Sequence, residues 1–99
     1  MDTRVRHLQC YLVEWYTPEL TGDQLGIAVA KLDECAAAMS VQGSQVHLLM
    51  TLAVPIDEVV FGVFDATSEH SVQQVCAQAG VQPGRVTGAA DARIMLPAS

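Results

Sequence analysis

A strand, amphipathic helix, strand pattern fits twice into the 99 residues of this chain, and no other feature limits its fold as tightly. The first unit runs from about Leu8 to Ala53 and the second from about Glu58 to Leu96. His7 to Tyr16 (HLQCYLVEWY) is aliphatic and aromatic with no breaker, as a strand requires. Thr17-Pro18-Glu19 ends it. Thr21 and Gln24 then have the spacing of a capping box. Leu25, Ala28, Val29, Leu32, Ala36 and Met39 recur at three- and four-residue steps, which predicts an amphipathic helix over Asp23–Met39. Val41-Gln42-Gly43-Ser44 turns the chain into a second strand, Gln45–Ala53.

Pro55-Ile56-Asp57 is a short connection to a third strand, Glu58–Asp65, and two strands joined this closely should pair as an antiparallel hairpin. Thr67 and Ser68 start a second helix whose buried stripe is Val72, Val75, Cys76 and Ala79, and Gly80 is placed to end it. Pro83-Gly84 leads into a last strand, roughly Arg85–Ile94, with Leu96 to Ser99 as a tail. The order β-α-β-β-α-β belongs to the α+β class and to the ferredoxin-like split βαβ. It carries a four-stranded antiparallel sheet with two helices on one face. Residues 1–99 form one domain, its core over about 8–96, since a chain this short supports a single two-layer core. The name concerns topology alone, because no cysteine cluster here could hold an iron–sulfur centre.

Five basic residues against eleven acidic ones give a net charge of −6. That balance, with no basic stripe, argues against nucleic acid as a partner. No run approaches the roughly 20 apolar residues that span a bilayer, so no membrane partner is expected either. The polar start, Met1 to His7, has no apolar signal core, which reads as a cytoplasmic protein. Cys10, Cys35 and Cys76 are odd in number and widely spaced, and read as buried reduced thiols. Only 16% of residues are charged and 51% are hydrophobic, against about 25% charged in average chains. Some of that excess must lie on an exposed face, and a homodimer that covers the face is the expectation.

Alternation along each strand divides the sheet. The all-apolar set Val46, Leu48, Met50 and Leu52 is expected under the helices, together with Tyr11, Val13 and Trp15 and with Val59, Phe61 and Val63. Glu14, an ionised carboxylate, does not suit a core without a partner. It is expected on the open face with Leu12, Tyr16, His47, Leu49, Thr51, Val60, Gly62 and Phe64. Within that set Glu14, Tyr16, His47, Thr51 and Gly62 form the candidate ligand pocket. Gly62 should remove a side chain near the line between Glu14 and His47, leaving room for a ligand. His70, in the first turn of the second helix, reads as solvated, and Ser68 as a helix cap.

Several short motifs resemble a small bacterial ferredoxin-like family that includes nickel-binding proteins. They are the opening Tyr11-Leu12-Val13-Glu14, the helix start Thr21-Gly22-Asp23-Gln24-Leu25, Val46-His47, and Ala79-Gly80 before the last strand. The resemblance covers about Cys10 to Ala90. It implies a dimer packed through open sheet faces and, in some members, a metal site. Matched residue by residue, Glu14 and His47 stand where the family carries the same residues. Gly62 stands where many members have a cysteine, and Val75 where many have a histidine, so the soft ligands suited to nickel are missing.

The resemblance and the open face together lead to a small dimeric protein that binds nickel, another divalent metal or a small ligand. Its metal ligands would be His47 and Glu14. The alternative is a small dimeric enzyme of cyclase, isomerase or monooxygenase type, with His47 shuttling a proton and Glu14 orienting it or acting as base. A third reading has the face filled entirely by the partner subunit.

Overall fold

The computed structural model describes residues 3–16 and 23–97. The expected strand end at Thr17 to Glu19, the Thr21 cap and residues 98–99 lie outside them. Its elements are β1 (Thr3–Trp15), α1 (Asp23–Val41), β2 (Val46–Val54), a 3-10 turn at Pro55–Asp57, β3 (Val59–Ala66), α2 (Glu69–Ala79) and β4 (Arg85–Pro97). The β-α-β-β-α-β order is as the sequence predicts, and the four strands form one antiparallel sheet in the order β2-β3-β1-β4. No helix among the described residues is long and apolar enough to cross a membrane.

Each helix is placed by the signals in its own sequence. Ser68 caps α2, its hydroxyl accepting from the Ser71 amide at 3.2 Å, and Gly80 closes it in the left-handed region at φ 78°. That conformation costs glycine nothing and other residues a Cβ clash. The buried stripes, Ala28, Leu32, Ala36 and Met39 on α1 and Val72, Val75, Cys76 and Ala79 on α2, meet one sheet face. There they pack on Val13, Trp15, Val46, Val60 and Phe64. Trp15 meets Phe64 edge-on, with ring centroids 6.4 Å apart, and its Nε1 donates to the Val81 carbonyl at 3.2 Å.

The strands differ from expectation in two respects that decide which residues face the open side. First, β3 is turned over. Val13 lies opposite Gly62, Trp15 opposite Val60 and Tyr11 opposite Phe64. Val60, Gly62 and Phe64 therefore face the helices, while Phe61 and Val63 face outward. The physical reason is size: the large Trp15 indole needs an empty neighbouring position. A Cβ on Gly62 would lie 2.7 Å from Trp15 Cη2 and Cζ3. The run Val59-Val60-Phe61-Gly62-Val63-Phe64 is apolar at both parities, so alternation alone carries no sign.

Second, β2 carries a bulge. Leu48 pairs with Phe64 but Met50 with Val63, leaving Leu49 as the extra residue. A bulge of this kind reverses the alternation beyond it. Val46 and Leu48 face the helices as expected. Met50 and Leu52, expected there too, face outward and are 46% and 54% exposed, whereas Thr51 and Ala53 face inward beside Gly62 and Val60.

The outer strands also run further than the sequence pattern suggests. β1 begins at Thr3 and β4 continues to Pro97, through what reads in sequence as a tail. The β1–β4 ladder has its own bulge, where Cys10 pairs with Ala90 and Leu12 with Thr87, and Ala89 within it sits at φ 55°. The three cysteines are free, Cys10 and Cys76 buried and Cys35 half-buried.

Candidate functional site

The register divides the open face into rows that cross the strands. One row is Leu52 on β2, Phe61 on β3, Glu14 on β1 and Arg85 on β4; the next is Met50, Val63, Leu12 and Thr87. Residues directly opposite in an antiparallel pair share a face, so these side chains form one surface. Most of it is apolar. Leu12, Phe61 and Val63 are half-buried there although no helix lies over them.

Glu14 and Arg85 are the charged residues of these two rows. The Glu14 side chain is 14% exposed, and the Arg85 Nε lies 4.0 Å from its Oε2. Tyr16, one residue past the end of β1, donates its hydroxyl to Glu14 Oε1. That bond, followed by partial desolvation and the Glu14 charge, pushes the Tyr16 phenol above its ordinary pKa, and Arg85 partly opposes the rise. Backbone holds the three groups together: the Gly84 amide donates to the Glu14 carbonyl at 2.8 Å, extending the ladder just ahead of β4. Gly84 itself gives the phenol ring space, since a Cβ there would stand 2.5 Å from Tyr16 Cδ2.

The remaining expected site residues are dispersed. Gly62 and Thr51 lie on the helix side, and Val60 and Phe64 are core residues rather than parts of an open face. His47 is on the open face but at the opposite end of β2, across from Asp65, with its Nε2 3.3 Å from Gln45 Oε1. Glu14 pairs with Phe61 and His47 with Asp65, which places them two strands and four residues apart, roughly 16 Å between backbones. The two residues expected to share a proton or a metal do not converge within one protomer. Among the described residues, no three His, Cys, Asp or Glu side chains gather as metal ligands would. His70 is exposed, as expected, and Phe61, expected in the core, is part of the open face.

Arg85 is the site residue that sequence reasoning misses. Between positions 11 and 89 the only basic residues are Lys31 and Arg85. Arg85 opens the last strand, and Glu14 is the sole carboxylate of the strand it joins over residues 3–15. Charge scarcity was therefore the available signal, though the register that brings the pair together is a tertiary fact.

No protein-family model matches the chain, and no curated protein does. Among solved structures the fold is similar to that of SCO4226 from Streptomyces coelicolor A3(2), with a TM-score of 0.63 and 20% sequence identity. The match covers 84% of this chain and 94% of that one. At that identity the likeness establishes the ferredoxin-like fold.

Proposed function

We propose that the protein is a homodimeric small-molecule-binding protein whose open sheet face takes an amphipathic ligand. An apolar body would lie over Leu12, Phe61, Val63, Met50 and Leu52, with one neutral polar group directed to Glu14, Tyr16 and Arg85. The observation that carries this reading is the shielded Glu14 carboxylate, held by a phenol and flanked by a guanidinium, in an otherwise apolar face. A charge kept in such a place costs free energy unless it is partnered, and this one keeps lone pairs available for a ligand hydroxyl. The carboxylate and guanidinium offset each other, which favours an uncharged alcohol, phenol or ketone over an ion. Exposed Met50, Leu52 and Tyr16 beside half-buried Phe61 and Val63 support closure of the face by a second copy, which would exclude water from the ligand.

The test uses 2-naphthol, an intrinsically fluorescent neutral phenol, titrated into the protein with fluorescence as readout. Saturable binding should weaken about tenfold or more in Glu14→Gln, the loss expected when a hydrogen bond to a charged acceptor is removed. It should disappear in Leu52→Arg, which should also shift light scattering from dimer to monomer mass. No binding, or binding indifferent to both substitutions, overturns the reading. Nickel titrated alone addresses the metal reading: uptake abolished by both His47→Ala and Glu14→Gln would replace the amphipathic ligand with a metal site assembled between subunits.

A further inference from the structure

The open face carries a second carboxylate at the end away from Glu14. Along β3, Phe61, Val63 and Asp65 alternate onto that face, and Asp65 stands directly across from His47 of β2. Glu14 stands across from Phe61. Four residues along the strand and one strand across therefore separate Glu14 from Asp65, roughly 14 Å between backbones. Between them Leu12 pairs with Val63, both half-buried, and exposed Met50 lies across from Val63 on the other side. An apolar strip is thus bounded at each end by a carboxylate.

The two carboxylates differ in their partners. Glu14 accepts from the Tyr16 hydroxyl and is flanked by the Arg85 guanidinium. Asp65 is exposed, and among the described residues no lysine or arginine pairs with it. His47 turns its Nε2 to Gln45 Oε1 at 3.3 Å. Cys10 and Asp65 follow the Tyr11–Phe64 pair in the register. Burial, and then the charges of Asp65 and Asp91, push the Cys10 thiol up in pKa, so the field at this end of the face is negative. Asp91 has a cation beside it, Arg93 at 3.4 Å; the charge of Asp65 is the unbalanced one.

We propose that the ligand of the open face is an elongated amino alcohol, its hydroxyl at Glu14, Tyr16 and Arg85, its apolar spacer over Leu12 and Val63, and its ammonium at Asp65. The proposal rests on the small-molecule reading above and adds the charge, the order of the polar groups and the length. Their order follows from the partners. At Glu14 a cation would be repelled by Arg85, whereas at Asp65 it meets a negative charge that nothing else offsets. Exposure agrees with that order. Stripping an ammonium of water is costly, and at the exposed Asp65 end it keeps part of its hydration while the spacer is covered.

The test is competition against 2-naphthol fluorescence. One probe is 10-aminodecan-1-ol, whose oxygen and nitrogen stand roughly 14 Å apart when extended; decan-1-ol is its uncharged counterpart. The amino alcohol should bind about three- to tenfold more tightly than the alcohol. Asp65→Asn, a change at an exposed position that leaves the fold intact, should erase that difference without altering the affinity for decan-1-ol or 2-naphthol. The six-carbon amino alcohol is too short to span both ends and should gain nothing over hexan-1-ol. Equal binding of the ten-carbon pair, or an amine advantage that survives Asp65→Asn, overturns the proposal while the small-molecule reading stands. The same advantage in the six-carbon pair overturns the spacing on which it depends. If 2-naphthol itself does not bind, the underlying reading fails and the proposal with it.

Discussion

Gly62→Ala is expected to destabilise the fold by about 1–3.5 kcal/mol without touching the ligand face. The new Cβ would lie 2.7 Å from two carbons of the Trp15 ring, where unstrained carbons stand roughly 3.5 Å or more apart. Either the ring or the strand must move by roughly 0.8 Å. Trp15 is 1% exposed, so its indole cannot swing into solvent. Displacing it stretches the 3.2 Å bond from Nε1 to the Val81 carbonyl and disturbs the edge-on contact with Phe64.

Overpacking of this kind costs about 1–3 kcal/mol, and a weakened hydrogen bond adds about 1 kcal/mol. The lower chain entropy of alanine returns roughly 0.5–1 kcal/mol. For a domain of this size the net corresponds to a fall in Tm of roughly 4–28 °C. Denaturant unfolding gives the free energy directly. A cycle with Trp15→Phe locates the cause, because removing the outer indole ring should shrink the cost of Gly62→Ala. Unchanged stability of Gly62→Ala would refute the register argument and return Gly62 to the open face.

Two further expectations concern titration and reactivity. Tyr16 has a raised pKa in the folded state, so folding favours its protonated form: the contribution is intact below the ordinary phenol pKa and is lost as pH rises through the folded value. In a Tyr11→Phe background, phenolate absorbance should show Tyr16 titrating late, and Glu14→Gln should bring it back towards the ordinary range; a Tyr16 indifferent to that substitution would break the link. Burial pushes the Cys76 thiol up to about 12 and also raises that of Cys10. A thiol reagent at neutral pH should therefore label Cys35 in the native protein and all three cysteines after unfolding, since the thiolate is the nucleophile; early labelling of Cys76, followed by mass spectrometry, would contradict its place beneath the sheet.

The element order was legible because it rests on local signals. Helix stripes, the Ser68 cap and Gly80 each act within a few residues, and all three stand where the sequence puts them. The partition of the sheet was legible only in part. Leu12 and Glu14 fall on the open face as a carboxylate demands, and Val46 and Leu48 fall under the helices. Beyond Leu48 the pattern misleads, because one bulged residue exchanges the faces of Met50, Thr51 and Leu52.

The site was less legible than the fold for the same reason. Glu14 and Tyr16 are two residues apart in the chain, so alternation alone puts them on one face. Arg85 joins them only through the pairing of the first strand with the last. Alternation puts His47 on the face of Glu14 but carries no distance along the strands, and the register separates the two.

Sequence by itself determined which segments become strands and helices, because propensity, periodicity and caps are properties of neighbouring residues. Tertiary structure alone decided which face each apolar side chain occupies. In a run such as Val59 to Phe64 both parities are equally hydrophobic, so burial gives no preference. The choice falls to whether the Trp15 ring packs over a glycine or a phenylalanine on its own face of the neighbouring strand.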